Sequence, residues 1–235
     1  MTHNPLIIIP ARMGATRLPG KPLADIGGRP MIVRAWQQAL KSGFAVAVAA
    51  GDAEIVEVID AQGGVAILTD PDLPSGSDRI RAAMLALDPQ AHYDVIINLQ
   101  GDMPFADPGL ARACADLLAR EPDCDIATLV APESGVEDRT NADVVKAIVA
   151  LDETSPSERA QSGQALYFTR STLYGDGPVW RHIGLYGYRR EALERFCAAP
   201  PSPLERREKL EQLRALELGL QIHAAVIDEA PLSVD

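Results

Sequence analysis

Apolar and polar positions follow two alternating periods along the first half of the chain. Leu6-Ile7-Ile8-Ile9 is an unbroken apolar, largely β-branched run, the pattern of a strand covered on both faces. Ile32, Val33, Trp36, Ala39 and Leu40 then recur at helical spacing. Arg34, Gln37, Gln38 and Lys41 take the opposite face, and Gly43 supplies a stop. Phe44–Ala50 predicts a second strand, residues 53–62 a helix closed by Gly63-Gly64, and Val65–Thr69 a third strand. Residues 78–87 predict a helix and Val95-Ile96-Ile97 a fourth strand. Asp107-Pro108 reads as an N-cap with proline at the first helical position. It opens a helix whose apolar stripe (Leu110, Ala113, Cys114, Leu117, Leu118) makes Cys114 a core residue. This order predicts an α/β fold: a Rossmann-like, mixed but mostly parallel sheet with helices on both faces.

Beyond about residue 125 the order is less regular. Ile126–Val130, Val144–Ala150, Ala165–Phe168 and His182–Tyr188 read as strands, with helices near 190–197 and 204–218. In the last of these, Leu210, Leu213, Leu216 and Leu220 form the buried face, and Glu205 and Lys209 make an i,i+4 pair. Asp152–Gly163 is polar and predicts a loop or lid. The expectation is one domain over residues 1–235 with a small inserted subdomain at about 130–190.

Composition narrows the function classes. The 235 residues are 47% apolar and 23% charged, enough to bury a core, and fit one to two domains at roughly 150 residues each. The net charge of −11 and 5% aromatics argue against nucleic-acid or anionic-lipid partners. No apolar run approaches the roughly 18 residues of a membrane span, and no signal peptide is visible. Three cysteines without a CxxC spacing point to reduced thiols in the cytoplasm.

Against that acidic background the segment after the first strand stands out: Pro10-Ala11-Arg12-Met13-Gly14-Ala15-Thr16-Arg17-Leu18-Pro19-Gly20-Lys21-Pro22. Three cations among small residues suit a polyphosphate, since glycines let backbone N–H groups approach an anion. It is not a Walker A loop: five residues separate Gly14 from Gly20, and Pro22 follows Lys21 where that pattern has Ser or Thr. A metal therefore needs a carboxylate from elsewhere. Asn98-Leu99-Gln100-Gly101-Asp102 follows the fourth strand, and a doubly wound sheet brings Asp102 beside the end of the first. Magnesium suits such a place, because it binds through one or two carboxylates plus substrate phosphates.

The phosphate loop is similar to the sugar-nucleotidyltransferase signature. With Ser75-Gly76-Ser77-Asp78-Arg79, Gln100-Gly101-Asp102, Tyr167-Phe168-Thr169-Arg170, Arg181-His182-Ile183-Gly184-Leu185-Tyr186 and the segment 203–214, nearly the whole chain resembles the 3-deoxy-manno-octulosonate (Kdo) cytidylyltransferases of lipopolysaccharide assembly. The resemblance implies a cytoplasmic, homodimeric, magnesium-dependent enzyme making CMP-Kdo and diphosphate from CTP and Kdo, with the insertion serving dimerisation and sugar binding. It implies that Arg12, Gly14, Arg17 and Lys21 hold the CTP phosphates, Arg12 and Lys21 acting in catalysis with Asp102. Ser75 and Arg79 would lie at the cytidine end and Gln100 between the substrates. Arg170, His182, Tyr186, Glu211 and Gln212 would line the Kdo pocket, and Asp102 and Asp235 would bind magnesium. Two positions depart from the family pattern. Met103 stands where Glu is common, and Asp235 is the last residue where the family continues into a helix. Same-fold chemistry on 8-amino-Kdo or sialic acid, and a CTP-binding module without catalysis, remain alternatives at this point.

Overall fold

The computed structural model describes residues 3–14, 19–133, 139–151, 161–175 and 179–234. Arg17, Asp235 and most of the expected lid (152–160) lie outside the described residues. Two compact units emerge, Met1–Arg112 with Pro231–Asp235, and Ala113–Ala230.

In the first unit, strands β1 (Pro5–Ala11), β2 (Ala45–Ala50), β3 (Ala66–Leu68) and β4 (Val95–Asn98) lie in the order β3-β2-β1-β4. All three pairings are parallel, with Ile7 opposite Val46 on one side and Ile97 on the other. Leu6 to Ile9 and Val95 to Ile97 are buried because helices cover the faces of such a sheet. Helix α1 (Met31–Leu40) starts behind Pro30 and buries Ile32, Val33, Trp36 and Ala39, as their spacing predicts, together with Met31 and Ala35; Leu40, expected on the same stripe, is instead 43% exposed at the last turn. Helices α2 (Ala53–Asp60) and α3 (Gly76–Leu87) complete the crossovers, and α4 (Pro108–Arg120) follows. Strand order reverses at β1, whose neighbours are β2 and β4, and ligands of open parallel sheets bind beyond the carboxyl ends at that point.

The second unit departs from the mostly parallel expectation. Strands β5 (Ile126–Pro132), β6 (Lys146–Leu151), β7 (Ser162–Thr169), β8 (Trp180–Arg189) and β9 (Ile222–Val226) pair antiparallel, except β5 with β9. Strand β9 was not foreseen. Arg189 donates to the carbonyls of Leu118, Glu121 and Cys124, closing the C-terminal turn of α4. Helix α5 (Arg190–Ala198) matches its expectation. The single helix expected over 204–218 is instead two, α6 (Pro203–Glu208) and α7 (Gln212–Glu217), because Lys209 adopts the left-handed conformation (φ 56°, ψ 43°). Glu205 consequently pairs not with Lys209 but with Arg214, at 2.8 and 2.6 Å. Cys114 is buried, as expected of a core residue, Cys124 is buried as well, and a disulfide joins none of the three cysteines. No helix among the described residues is long and apolar enough to cross a membrane.

Candidate active site

In the first unit the carboxyl ends of β1 and β4 and the segment after β3 contribute to one concave surface. A cleft of about 260 Å³ is lined by Pro10, Ala11 and Arg12 after β1, Lys21 and Pro22, Met31 and Ile32 of α1, and Gln100, Gly101 and Asp102 after β4. A second hollow of about 170 Å³ shares Pro10, Ala11, Arg12 and Gln100 and extends to Leu73, Ser75, Gly76 and Arg79. The loop after β1 turns back on itself: Gly20 N–H donates to Met13 O at 3.0 Å, with Gly20 at φ 73°, which favours glycine. That turn starts a short 3₁₀ segment (Lys21–Leu23) and aims Lys21 at β4. Its ammonium donates to Asp102 Oδ2 at 3.2 Å. Beside them Gln100 Nε2 donates to Asn98 Oδ1 at 3.1 Å, and the backbone N–H of Val234 donates to Asp102 O at 2.9 Å. Arg12 and Gly14 are exposed at the mouth, and a Cβ added at Gly14 meets nothing within 4 Å.

Ser75 and Arg79 flank the second hollow in different ways. Ser75 is the N-cap of α3, its hydroxyl accepting from Asp78 N at 3.0 Å. Arg79 is 2% exposed, and its guanidinium donates to Thr69 Oγ1 (2.6 Å), Asp70 O (3.0 Å) and Pro71 O (3.1 Å), bracing the loop after β3. Burial and then the nearby Arg12 charge lower its pKa, while Asp52 and Asp70 oppose the shift. A Cβ on Gly51 would sit 2.8 Å from Arg79 Nη1, so glycine there is what lets the guanidinium in. Asp52, missed in the sequence, accepts from Met13 N at 2.7 Å and anchors the start of the loop after β1. Its signal was available: like Asp102, it lies within a few residues of the carboxyl end of a parallel strand.

The remaining candidates belong to the second unit. His182 and Tyr186 project from β8, and their rings are 5.5 Å apart. Phe168 on β7 meets the His182 ring edge-to-face at 4.8 Å. The imidazole Nε2 lies 3.1 Å from Thr128 Oγ1 on β5. Burial drives His182 down to about 3, so it is neutral. Burial, and then the charge of Glu211, push the Tyr186 phenol up, which places Glu211 within electrostatic reach of Tyr186. Gln212 is buried at the start of α7. Arg170 extends from the end of β7 to donate to Ala142 O (3.0 Å), and Arg170 O accepts from the wholly buried Lys146 (3.0 Å). Lys146 also reaches Asn141 O at 2.6 Å, tying the two loops together. Neither Thr128 nor Lys146 was singled out in the sequence, where each sits inside or beside an apolar run.

Among the described residues no group of three His, Cys, Asp or Glu side chains is arranged for a metal. Asp102 nevertheless offers a half-buried carboxylate at the cleft, a hard oxygen donor of the kind magnesium uses beside substrate phosphates.

The chain is similar in sequence and in fold to known proteins. The cytidylyltransferase family profile matches residues 6–222. The 3-deoxy-manno-octulosonate cytidylyltransferase of Parvibaculum lavamentivorans is 55% identical over 100% of this chain and 89% of its own. That of Paramagnetospirillum magneticum is 53% identical, covering 99% and 93%. A solved structure of CMP:2-keto-3-deoxy-manno-octonic acid synthetase complexed with CTP superposes with a TM-score of 0.85 at 35% identity, over 98% of this chain and 92% of that one.

Proposed function

The chain belongs to the cytidylyltransferase family, among the 3-deoxy-manno-octulosonate cytidylyltransferases, and from that premise we infer that it joins CTP to Kdo, releasing diphosphate. The product, CMP-Kdo, is an activated sugar for lipopolysaccharide assembly. The observation that carries the reading is the Lys21–Asp102 pair, a cation and a carboxylate set together in a cleft at the strand-order reversal.

In this reading the anomeric 2-hydroxyl of Kdo attacks the α-phosphorus of CTP, forming the new O–P bond as the bridge to the β-phosphorus breaks. Arg12 and Lys21, helped by the amides around Gly14 and by Arg17, bind the triphosphate and neutralise charge on the departing diphosphate. Ser75 and Arg79 are the cytidine end: one caps α3 and the other braces residues 69–71, so both hold the hollow in shape. Gln100 lines both hollows, in keeping with a place between the reacting groups. Arg170, His182, Tyr186, Glu211 and Gln212 bind and orient the sugar acid.

The cleft's donors fit magnesium, with Asp102 and Asp235 as its ligands in this reading. Support for the pair comes from the hydrogen bond that ties Val234, the residue before Asp235, to Asp102. A magnesium ion held there would offset triphosphate charge and lower the pKa of the attacking hydroxyl. The reading also takes the enzyme as a cytoplasmic homodimer using the insertion at about 130–190. Cysteines outside any disulfide suit a reducing compartment.

The test is diphosphate release with CTP, magnesium and a panel of keto-acid sugars: Kdo, 8-amino-Kdo and sialic acid. Turnover with Kdo exceeding the others by at least about tenfold is expected. CTP binding by calorimetry without diphosphate release from any sugar overturns the reading.

A further inference from the structure

Strands β5 and β8 pair with an irregularity that concentrates hydrogen bonds on one hydroxyl. Thr128 lies opposite Tyr186, but its successor Leu129 lies opposite Ile183, so Gly184 and Leu185 bulge out of the ladder. The Thr128 side chain, 0% exposed, fills that bulge. Its Oγ1 is 2.9 Å from Leu185 O, 3.2 Å from Ile183 O and 3.1 Å from His182 Nε2.

A threonine hydroxyl has one proton, and carbonyl oxygens only accept. Were that proton given to His182, two carbonyl oxygens would face the lone pairs of Oγ1 at hydrogen-bonding distance, a repulsive arrangement in a low-dielectric interior. The satisfied arrangement sends the proton to a carbonyl, Leu185 O being the nearer, and requires Nε2 of His182 to donate. Phe168 and Tyr186 flank the ring. Nδ1 makes no hydrogen bond among the described residues.

We propose that Thr128 is a positioning residue that fixes His182 as the Nε2–H tautomer, so that Nδ1 is presented as a hydrogen-bond acceptor for a hydroxyl of the sugar acid rather than as a cation for its carboxylate. The proposal rests on the reading that His182 faces the sugar. The depressed pKa of the imidazole agrees with it, since a neutral ring has one bare nitrogen to offer. Selectivity follows: the position facing Nδ1 needs a donor, and a sugar deoxygenated or O-methylated there loses the contact.

Two-bond ¹H–¹⁵N spectra of histidine-labelled protein without ligand report the tautomer directly. His182 protonated on Nε2 and bare on Nδ1 is expected; protonation on Nδ1, or on both nitrogens at neutral pH, overturns the proposal whatever the protein's substrate. Thr128→Val is expected to lose the single-tautomer signature and to raise KM for Kdo about tenfold, with KM for CTP unchanged. Thr128→Ser keeps the hydroxyl and is expected to restore both. A valine variant with the wild-type tautomer and KM overturns the proposal. Should the valine variant not fold, the wild-type and serine spectra still decide. His182→Ala separates the two levels: an unchanged KM for Kdo removes His182 from the sugar site, and with it the premise, even where the tautomer is as stated.

Discussion

Lys21 and Asp102 stand 81 positions apart in the chain, yet Nζ of one donates to Oδ2 of the other at 3.2 Å, with side chains 15% and 35% exposed. A part-buried pair that water still reaches adds little to folding. Its value is positional: each group holds the other at the cleft, where on the proposed function the phosphates of CTP would compete for the ammonium. Asp102→Asn should therefore reduce turnover by roughly three orders of magnitude while the fold and CTP binding persist. Diphosphate release and calorimetry on the same preparation check both halves.

Lys21→Met should lower kcat/KM by about 100-fold to 1,000-fold, because a positioned cation on a leaving phosphate has that order of effect. The double variant with Asp102→Asn should fall well short of the product of the two losses, as expected of residues acting as a unit. Steady-state kinetics on the four-member cycle measures it.

Arg79 should behave differently from Lys21. Its three bonds hold Thr69, Asp70 and Pro71, so Arg79→Met leaves the buried Thr69 hydroxyl and two part-buried carbonyls without their donor and is expected to cost about 1–3 kcal/mol of stability. It should raise KM for CTP more than it lowers kcat. Gly51→Ala, which pushes a methyl against the same guanidinium, should reproduce the KM effect in milder form. Urea unfolding and CTP-dependence curves separate the two contributions.

Acid should weaken the second unit through two groups. Burial raises Glu205, but the Arg214 hydrogen bonds and the Ser202 amide outweigh it and leave its carboxyl below the ordinary value of 4.5. Its contribution is present above that unfolded value and is lost as pH falls through the lower folded one. His182, held at about 3 by burial, works in a higher window. Below about pH 6.5 the unfolded chain takes up a proton the folded ring refuses, so stability declines from there downward. Unfolding free energies at pH 7, 6, 5 and 4 should fall monotonically, and His182→Gln should flatten the upper part of the decline.

The first unit was largely legible, because β-branched runs separated by helical stripes leave few choices for a parallel sheet. The site was legible for the same reason: Arg12, Lys21 and Asp102 follow strands whose carboxyl ends must meet. The second unit was harder. Ile222–Val226 is five residues interrupted by His223, too short a pattern to distinguish from a loop. Leu210 lies in the break itself yet keeps helical spacing with Leu213, Leu216 and Leu220, so nothing in that periodicity reveals where the helix is interrupted. Thr128 sits in an apolar run, where a hydroxyl gives no sign of three partners.

That break has a mechanical consequence. Helices of six residues are marginal by themselves, and α6 and α7 are both that length. Arg214 bolts them together: it grips Glu205 on α6, reaches the carbonyls of Phe196 and Ala199, and lies 4.6 Å over the Phe196 ring. The stretch bearing Glu211 and Gln212 thus owes its stiffness to side-chain rivets, Arg214 foremost and the Leu204 amide on Glu217 beside it, instead of to helical length, and loosening Arg214 would let the corner flex.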